Sequence, residues 1–585
     1  MELESFLKNS LVTFLSATAV MSLSVNAFAV TANPDAGALQ QEIQKEAPDV
    51  FTAPLPDVRA PSAEPVQADD GVQVLIKEVR VVGVHLVDAN LLQDALSTHL
   101  NQSYTLQGLQ KLVDVVTAFY SEHGFVVQAY LPEQNINEAG VLIIQVVEAK
   151  LGDVSVENKE HQARLSDKAA ASYITAQNPM GSPLNANMAA KGLGLLNELP
   201  GIKAESALEA GQKDGETNVH LTLHKTSLFD ARVETKNGGS RSTGVAQVVA
   251  SLAVNSPLSM GDQASFYGLY SEGSSFNQVT YALPIGYRGL RLAMTANYLD
   301  YENVGQYKTN GGFGDAWVLG ANLSYPIKRA QSTNANLTAG LEEKGYLNRN
   351  LASGAVNSSY QIQNLNLGGN LNHYDGLLGG GVTSVSGSLV FGHLDIDGET
   401  PSNYLVDANN NRYVPNTFTK LTLNASRVQV LPLEGTQLLI NVSGQLSADN
   451  LNSSEQFYLG GPNGVRAYPV AQGGGSQGFL ASFELQKQLP QHLIATVFLD
   501  AGSVQQYKDT YVNWQGETGA SNSYALYGAG VGLKWNPGKF NFSGVVAWKL
   551  GNNPLKTAQN GVYVNRDNDG YDTSPRAWLS ASYSF

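Results

Sequence analysis

Cysteine is absent from the 585 residues, which excludes disulfide frameworks, thiolate metal sites and cysteine nucleophiles. Charged residues make up only 15% of the chain, against about 25% in typical soluble proteins. No long apolar run follows residue 25, so we expect no transmembrane helix in the mature protein. The formal net charge of −15 argues against a nucleic-acid partner, because nucleic-acid-binding proteins need a basic surface.

Glycine, tyrosine and small polar residues take the place of the missing charge, with 58 glycines and 26 tyrosines. The length favours two to four domains or one very large domain. This composition is typical of an outer-membrane β-barrel and also of a large secreted β-protein. Composition alone leaves both classes open.

The N-terminal segment predicts a signal peptide. An apolar run at residues 11–25 precedes Ala27-Phe28-Ala29, a small-x-small pattern that indicates cleavage after Ala29. Glu2 and Glu4 make the preceding stretch less positive than usual, so an N-terminal membrane anchor is the alternative. Because the run is short for a span of about 20 residues, we assign residues 1–29 to a signal peptide.

Residues 30–72 predict a short helix followed by a linker. Within 38–46, Leu39 and Ile43 lie four residues apart on one helical face. Five prolines between positions 48 and 65 predict an extended, semi-rigid tether. A disordered leader is the alternative interpretation of this region.

Two consecutive segments, 73–148 and 149–225, share one predicted order of strand, helix, helix, strand, strand. In the first, the periodicities predict strands at 74–82, 125–131 and 141–148 and helices at 91–100 and 106–123, with Gly124 ending the second helix. In the second, they predict strands at 151–156, 202–208 and 218–223 and helices at about 163–174 and 186–199. The sequence therefore predicts an internal repeat of two α+β units.

From residue 226 to the end, the helical period disappears and an alternation of period two takes over. Residues 229–236 carry a charge at every second position, and residues 290–298 place Leu290, Leu292 and Met294 on one face. A soluble sandwich also alternates, but runs of about 8–10 residues with few outward charges favour membrane strands. At roughly 22 residues per strand and loop, this region predicts a transmembrane β-barrel of about 16 antiparallel strands.

Two short motifs near the C-terminus each combine glycine with a single charged residue. The first runs from Gly460 to Tyr468 and contains Val465, Arg466 and Ala467; the second contains Phe498, Asp500 and Gly502. Period two places Asp500 on the lumen face of its strand, where a carboxylate needs a partner. Arg466 is the obvious candidate if its loop folds inward. The alternatives are a solvated loop arginine and an aspartate that caps a turn.

This pair of motifs resembles the BamA/TpsB superfamily of outer-membrane barrels that carry POTRA domains. In that family a VRG[YF] motif in the sixth extracellular loop contacts an FxDxG motif on a later strand. The resemblance implies a contact between Arg466 and Asp500. The sequence departs from the pattern at Ala467, where the family usually has glycine, the residue that adopts positive φ most readily.

Two POTRA-like units, an N-terminal helix and a Pro-rich linker resemble the TpsB transporters of two-partner secretion, the ShlB/FhaC/HecB type. The resemblance implies that the POTRA units bind an unfolded TpsA-type exoprotein, such as an adhesin, a hemolysin or a toxin, by strand addition. The exoprotein then crosses the outer membrane through the barrel without ATP. The resemblance also implies that residues 38–46 are a plug helix, and that neither Arg466 nor Asp500 is catalytic. An assembly factor of the same superfamily and a passive porin are the alternatives.

The C-terminal strand places Tyr583 and Phe585 on its apolar face. We expect these residues to contact outer-membrane lipid and to be the signal read by the barrel assembly machinery. No enzyme motif is found: HExxH, the Walker loop and GxSxG are all missing. Asp567-Asn568-Asp569-Gly570 resembles part of a calcium loop, but position twelve is Trp578 instead of glutamate. We therefore expect a solvated loop there, with no metal and no cofactor.

Overall fold

The computed structural model describes residues 34–48, 54, 73–136, 139–158, 163–309, 311–515, 521–559 and 562–585. The expected signal peptide, with its cleavage site after Ala29, lies outside these residues, as does most of the expected Pro-rich linker. Among the helices of the described ranges, none is both long enough and apolar enough to cross a membrane.

A short helix, α1 (Ala36–Gln44), is the first described element. The carboxylate of Asp35 accepts a hydrogen bond from the backbone N–H of Ala38 at 2.9 Å, which satisfies a free donor of the first turn. Because Asp35 caps the helix, α1 begins two residues before the start that the apolar pattern predicts. Leu39 and Ile43 are both buried, as their spacing predicts.

The first α+β unit is a three-stranded sheet covered by two helices. Strand β5 lies in the centre of the sheet, parallel to β2 and antiparallel to β4. Aliphatic side chains from both helices and the sheet, including Leu92, Leu112 and Leu142, form its core. The elements of this unit are β1 (Val74–Ile76), β2 (Glu78–Val82), α2 (Ala89–Ser97), β3 (Gln102–Tyr104), α3 (Leu106–Glu122), β4 (Val127–Tyr130) and β5 (Val141–Glu148).

The prediction of one continuous strand over 74–82 is wrong. The chain changes partner at Lys77, so that β1 pairs with β3 and β2 pairs with β5. The backbone N–H groups of Lys77 and Glu78 both donate to the carbonyl of Gly140, which turns the chain between the two pairings. Strand β3 was not predicted, because three residues are too few to establish a period.

The second α+β unit has the order strand, helix, helix, strand, strand, as the sequence predicts, and its described residues form no counterpart of β1 and β3. Its sheet has the order β6-β8-β7, with β6 parallel and β7 antiparallel to the central strand. The hydroxyl of Ser166 accepts a hydrogen bond from the N–H of Ala169 and starts the first helix a few residues later than predicted. The elements are β6 (Lys150–Glu157), α4 (Asp167–Thr175), α5 (Ala186–Asn197), β7 (Ile202–Ala210) and β8 (Glu216–Lys225).

Sixteen antiparallel strands then close into a barrel, in which the last strand pairs with the first. The strand number agrees with the number predicted from the length of the region. The barrel strands are β9 (Phe229–Lys236), β10 (Gln247–Asn255), β11 (Gln263–Tyr270), β12 (Ser274–Ile285), β13 (Leu290–Glu302), β14 (Gly312–Arg329), β15 (Thr333–Asn350), β16 (Val356–Asp375), β17 (Gly381–Ile396), β18 (Thr417–Val430), β19 (Thr436–Ser447), β22 (Gln477–Leu489), β23 (Leu493–Gln505), β24 (Ser523–Trp535), β25 (Phe540–Lys549) and β28 (Arg576–Ser584). Two short antiparallel strand pairs lie in the loops: β20 (Phe457–Tyr458) with β21 (Gly474–Gly475), and β26 (Lys556–Gln559) with β27 (Val562–Asn565).

The alternation of side chains decides which face of each strand meets lipid. On β23, Val497 and Leu499 are 53% and 46% exposed on the outside, whereas Phe498 and Asp500 are buried inside, as predicted. The longest strand, β16, has 20 residues, twice the run of 8–10 that the sequence led us to expect. An apolar band about 25 Å tall needs fewer residues than this, so the longer strands extend past the lipid.

Candidate functional site: the filled barrel lumen

The segment between β19 and β22, residues 448–476, folds into the barrel lumen, and we call it the inward loop. Its glycine-rich motif lets the chain turn back on itself. A Cβ at Gly460 would lie only 2.2 Å from the carbonyl oxygen of Pro469, so only glycine fits at this turn. The fold-back brings Arg466, near the tip of the loop, against the barrel wall.

Arg466 and Asp500 form a bidentate ion pair in the lumen. Nε of Arg466 lies 2.9 Å from Oδ2 of Asp500, Nη2 lies 2.7 Å from Oδ1, and the backbone N–H of Arg466 donates to Oδ2 at 3.1 Å. Nη1 makes a second ion pair, 2.6 Å long, with Glu484. The side chain of Asp500 is 0% exposed and that of Arg466 11% exposed. Because the planar guanidinium fits a carboxylate in this way, the tip of the loop is held in one orientation.

The wall partners of Arg466 come from the neighbouring strands β22 and β23. Ser482 lies opposite Asp500, and Glu484 lies opposite Phe498, in the strand register. Residues two apart share a face, so all four side chains point into the lumen. The ring centroid of Phe498 lies 3.5 Å from Cζ of Arg466 and adds a cation–π contact. The two sequence motifs therefore meet, although their role in transport stays a prediction.

The remaining residues of the two motifs are packing residues. Val465, Ala467 and Tyr468 are all buried. Ala467 is not among the residues with positive φ, so the departure from glycine leaves the backbone unstrained. Its methyl group instead lies opposite Gly528, where a Cβ would come within 2.9 Å. Gly502 likewise leaves room for the loop, since a Cβ there would lie 2.7 Å from a loop leucine.

A second ion cluster fastens the inward loop to a different part of the wall, and the sequence analysis missed it. The carboxylate of Glu455, whose side chain is 2% exposed, lies 2.6 Å from Nζ of Lys420 and 3.2 Å from Nζ of Lys344. Asn364 donates to the same carboxylate at 3.2 Å, and Gln445 donates to the backbone carbonyl of Glu455 at 2.9 Å. Lys344 and Lys420 belong to β15 and β18. The one indication in the sequence was that the alternation of these strands places both lysines on the lumen face.

Helix α1 lies inside the barrel with its N-terminus on the inward loop. Asp35 accepts a hydrogen bond from the hydroxyl of Ser453 at 2.6 Å, and the side chain of Gln41 donates to the carbonyl of Ser454. A Cβ at Gly37 would lie 2.7 Å from Cβ of Ser454, so the helix and the turn are in direct contact. The N–H of Ala36 also donates to the side-chain oxygen of a β15 residue at 2.9 Å.

The other end of α1 reaches the first barrel strand. Gln40 donates to the side chain of Asn297 on β13 at 2.8 Å. Glu46 forms an ion pair with Lys236 at the end of β9, and Asn463 of the inward loop donates to the same glutamate at 3.4 Å. The helix is therefore bonded at both ends, to the wall and to the loop.

The expectation of a solvated loop at residues 567–570 is wrong. Asp567 is 0% exposed and lies 2.9 Å from Nζ of Lys549, and Arg576 lies 3.2 Å from both Asp567 and Asp569. Arg241, in the loop after the first barrel strand, reaches Asp569 at 3.3 Å. Burial raises the pKa of Asp567, although the nearby cations oppose this. Cationic side chains thus surround the carboxylates of this loop.

The C-terminal aromatic residues lie on the outer face of β28. Tyr583 packs against Phe585, with ring centroids 4.9 Å apart, and against Phe540 of β25 at 4.7 Å. Phe585 is largely exposed. Their position fits contact with lipid, while the assembly signal stays a prediction. In the ranges that the structure describes, no group of three or more His, Cys, Asp or Glu side chains is arranged to hold a metal ion.

A closed antiparallel barrel with a lipid-facing apolar wall, preceded by α+β units, defines an outer-membrane barrel protein. Residues 215–535 match the family described as haemolysin secretion/activation protein ShlB/FhaC/HecB, and residues 74–149 match the POTRA domain of ShlB type. The first match covers more than half of the chain, which therefore belongs to the ShlB/FhaC/HecB family.

Known relatives agree with this assignment, and a solved structure agrees with the fold. The heme/hemopexin transporter protein HuxB of Haemophilus influenzae is 26% identical over 535 residues, covering 89% of this chain and 92% of HuxB. The outer membrane transporter CdiB of Dickeya dadantii is 23% identical over 486 residues, covering 80% and 82% of the two chains. The structure of CdiB from Escherichia coli superposes with a TM-score of 0.68 at 22% identity, over 96% of this chain and 100% of that one.

The family and the fold together establish the class of activity. The protein is an outer-membrane transporter of the two-partner secretion type, with a POTRA domain on the periplasmic side of its barrel. Members of the family are transporters, and transporters of this kind act with secreted TpsA-type exoproteins. The fold class and family that the sequence motifs predicted are confirmed.

Proposed function

We propose that the lumen is closed at rest by α1 and the inward loop, and that the exoprotein passes through it once α1 has left. The observation that carries this proposal is the pair of Arg466 and Asp500, which orients the loop inside a lumen that α1 also occupies. Secretion needs an open path, whereas an intact outer membrane needs that path shut between clients. A removable helix beside a fastened loop supports both states.

Client capture is assigned to the two α+β units. Strand β7 pairs only with β8 and has no partner on its other side within the described residues, and most of its side chains are exposed. A free strand edge binds an unfolded chain through backbone hydrogen bonds with little demand on sequence. This supports reception of a partly unfolded exoprotein in the periplasm.

The passage is proposed to run without ATP, by binding on the periplasmic side and folding on the outside. The domain plan is part of the same proposal. It comprises a signal peptide at residues 1–29 with cleavage after Ala29, a plug helix and tether at 30–72, POTRA units at 73–148 and 149–225, and a barrel at 226–585. Tyr583 and Phe585 are proposed as the signal for insertion by the barrel assembly machinery.

The test replaces each partner of the loop anchor separately, as Arg466→Gln and Asp500→Asn. Both variants are co-expressed with the TpsA-type exoprotein that the wild-type protein secretes, and secreted and retained exoprotein are quantified. Removing one member of a buried ion pair costs about 3–5 kcal/mol, and about 1.4 kcal/mol is a factor of ten. We therefore expect secretion to fall by more than about tenfold, with a smaller loss of folded barrel in the membrane.

Arg427→Gln is the matched control. Arg427 on β18 makes a bidentate pair with Asp375 on β16, at 2.7 and 2.9 Å, but both of these partners belong to the wall and neither holds the loop. We expect secretion by this variant to stay close to wild type. Secretion at the wild-type level from both loop-anchor variants would overturn the proposal.

A further inference from the structure

The inward loop has two separate anchors, and each holds a different part of it. Arg466 fastens the tip to β22 and β23. Glu455, eleven positions earlier in the sequence, fastens the start of the loop to β15 and β18. Because the anchors use different strands and different charges, one can fail while the other holds.

The Glu455 anchor is built as a buried ionic cluster. Nζ of Lys420 donates to the carboxylate at 2.6 Å and also to the backbone carbonyl of Glu455 at 2.9 Å. Lys344 has a second carboxylate partner, Glu342, at 3.2 Å. Lys420 contacts no other carboxylate within 4.0 Å among the described residues, so its charge depends on Glu455 more than that of Lys344 does.

The turn that Glu455 fastens, Ser453–Glu455, is also the surface on which α1 rests. Ser453 donates to Asp35 at 2.6 Å, Ser454 accepts from Gln41, and Gly37 lies against Cβ of Ser454. One side of this three-residue turn thus contacts the barrel wall, and the other side contacts α1. Movement of the turn removes the contacts that it makes with Asp35, Gly37 and Gln41.

We propose that Glu455 is a positioning residue of the resting pore, which holds the Ser453–Glu455 turn as the seat of α1 through Lys344 and Lys420. This rests on the proposed function, in which α1 closes the lumen between clients. The Arg466 anchor keeps the loop tip on the wall in either state. Loss of the Glu455 ion pairs releases the helix and leaves the tip fastened.

The experiment measures the helix position and the pore separately in the full-length protein. Since the chain contains no cysteine, Ala38→Cys introduces a single thiol at a position on α1 that is now buried. Labelling with a membrane-impermeant maleimide reports helix exit, and ion conductance in planar bilayers reports opening. Ala352→Cys, in an exposed turn, gives the labelling rate of a free thiol.

Glu455→Gln is compared with Glu343→Gln, the same change on an exposed, outward-facing residue of β15. We expect Glu455→Gln to increase labelling at position 38 and resting conductance by about tenfold, a shift of about 1.4 kcal/mol. The Glu343→Gln control keeps wild-type values. Heat-modifiable migration on gels checks that each barrel is folded.

Two further variants address a failure of Glu455→Gln to fold. Glu455→Gln with Lys420→Met removes both charges, and Gly37→Val obstructs the seat from the helix side without touching the wall cluster. Both are expected to release α1. Folded variants with wild-type labelling and conductance would overturn the inference. In that case secretion that still depends on Arg466 leaves the proposed function standing, whereas secretion independent of Arg466 overturns the proposed function itself.

Discussion

The first α+β unit and the barrel lumen differ in the contacts that hold them together. In the α+β unit, Leu92, Leu112 and Leu142 pack into an aliphatic core. In the lumen, apolar side chains such as Leu39 and Val465 also pack against the wall, and buried ion pairs centred on Arg466 and Glu455 are added to that packing. The difference arises because the apolar face of a barrel strand contacts lipid on the outside, which leaves the more polar face for the lumen.

This difference explains how a barrel can stay folded while the segments that close its lumen are released. Apolar packing is non-directional and scales with buried area, so it forms a core that separates only on unfolding. The hydrogen bonds within an ion pair are directional, so they weaken steeply when one partner moves out of line. A lumen that ion pairs help to close can therefore open without unfolding the barrel.

Arg466→Met should destabilise the barrel most, because it leaves the buried carboxylates of Asp500 and Glu484 without a cation. We expect a loss of about 3–5 kcal/mol, seen as a lower temperature at which heat-modifiable migration is lost. The triple variant Arg466→Met, Asp500→Asn, Glu484→Gln has no unpaired charge and should recover part of this loss. Equal melting of single and triple variants would contradict the ionic account.

Leu142→Ala should destabilise the first α+β unit by about 2–5 kcal/mol and leave the barrel unchanged. Leu142 is fully buried at the centre of the sheet, so truncation opens a cavity. Urea unfolding of the full-length protein, followed by the helical circular dichroism signal, measures the change. Leu75→Ala, at a position 44% exposed in the same unit, is the control and should have a much smaller effect. A similar loss in both variants would argue against a defined core.

Glu148→Gln should abolish an acid-dependent part of the stability of the first unit. Burial raises the pKa of Glu148, but hydrogen bonds from the N–H groups of His85 and Leu86 and from the hydroxyl of Tyr120 outweigh it, so the net pKa is lowered. A lowered carboxyl pKa stabilises the fold above the unfolded-state value and loses that contribution as pH falls through the folded value.

We therefore expect wild-type urea midpoints to be constant near neutral pH and to drop below about pH 4.5, where an unfolded glutamate becomes protonated. The drop should be smaller in Glu148→Gln. Parallel pH profiles for the two proteins would show that Glu148 contributes nothing to the acid sensitivity.

Glu78→Gln should have the smallest effect. It breaks the pair of Glu78 with Arg80, which is 3.1 Å long but more than half exposed on both sides. Exposed pairs are worth about 0–1 kcal/mol, so the urea midpoint should barely move, and less at high salt. A shift of the urea midpoint as large as that of Leu142→Ala would contradict the expectation that exposed ion pairs contribute much less to stability than buried contacts.

Local patterns predicted much of this architecture. The alternation of residues 229–236 matches β9 (Phe229–Lys236) at both ends, because a strand with one polar and one apolar face leaves a direct mark in sequence. The helix at Leu106–Glu122 and its glycine terminator at positive φ were equally visible. The errors came where partners are distant, as at Lys77, where the change of sheet depends on Gly140.

The two loop anchors differ in the same respect. Arg466 and Asp500 sit in recognisable motifs and could be paired before the structure was known. Glu455 has no motif, and its partner Lys344 lies 111 positions away, so no local pattern connects them. The burial of the 567–570 loop was misjudged for a similar reason, since Arg241, which pairs with Asp569, lies 328 positions away in the chain.

Local patterns in the chain are enough to predict the strand period, the repeat of the α+β units, the barrel size and the inward face of Asp500. These depend on alternation and spacing, which act between near neighbours. Only the tertiary structure decided which charges meet in the lumen and that α1 rests on the Ser453–Glu455 turn. Barrel closure arranges distant strands around one interior. Because the dielectric constant there is low, a buried charge without a partner is costly, and opposite charges from distant strands therefore pair.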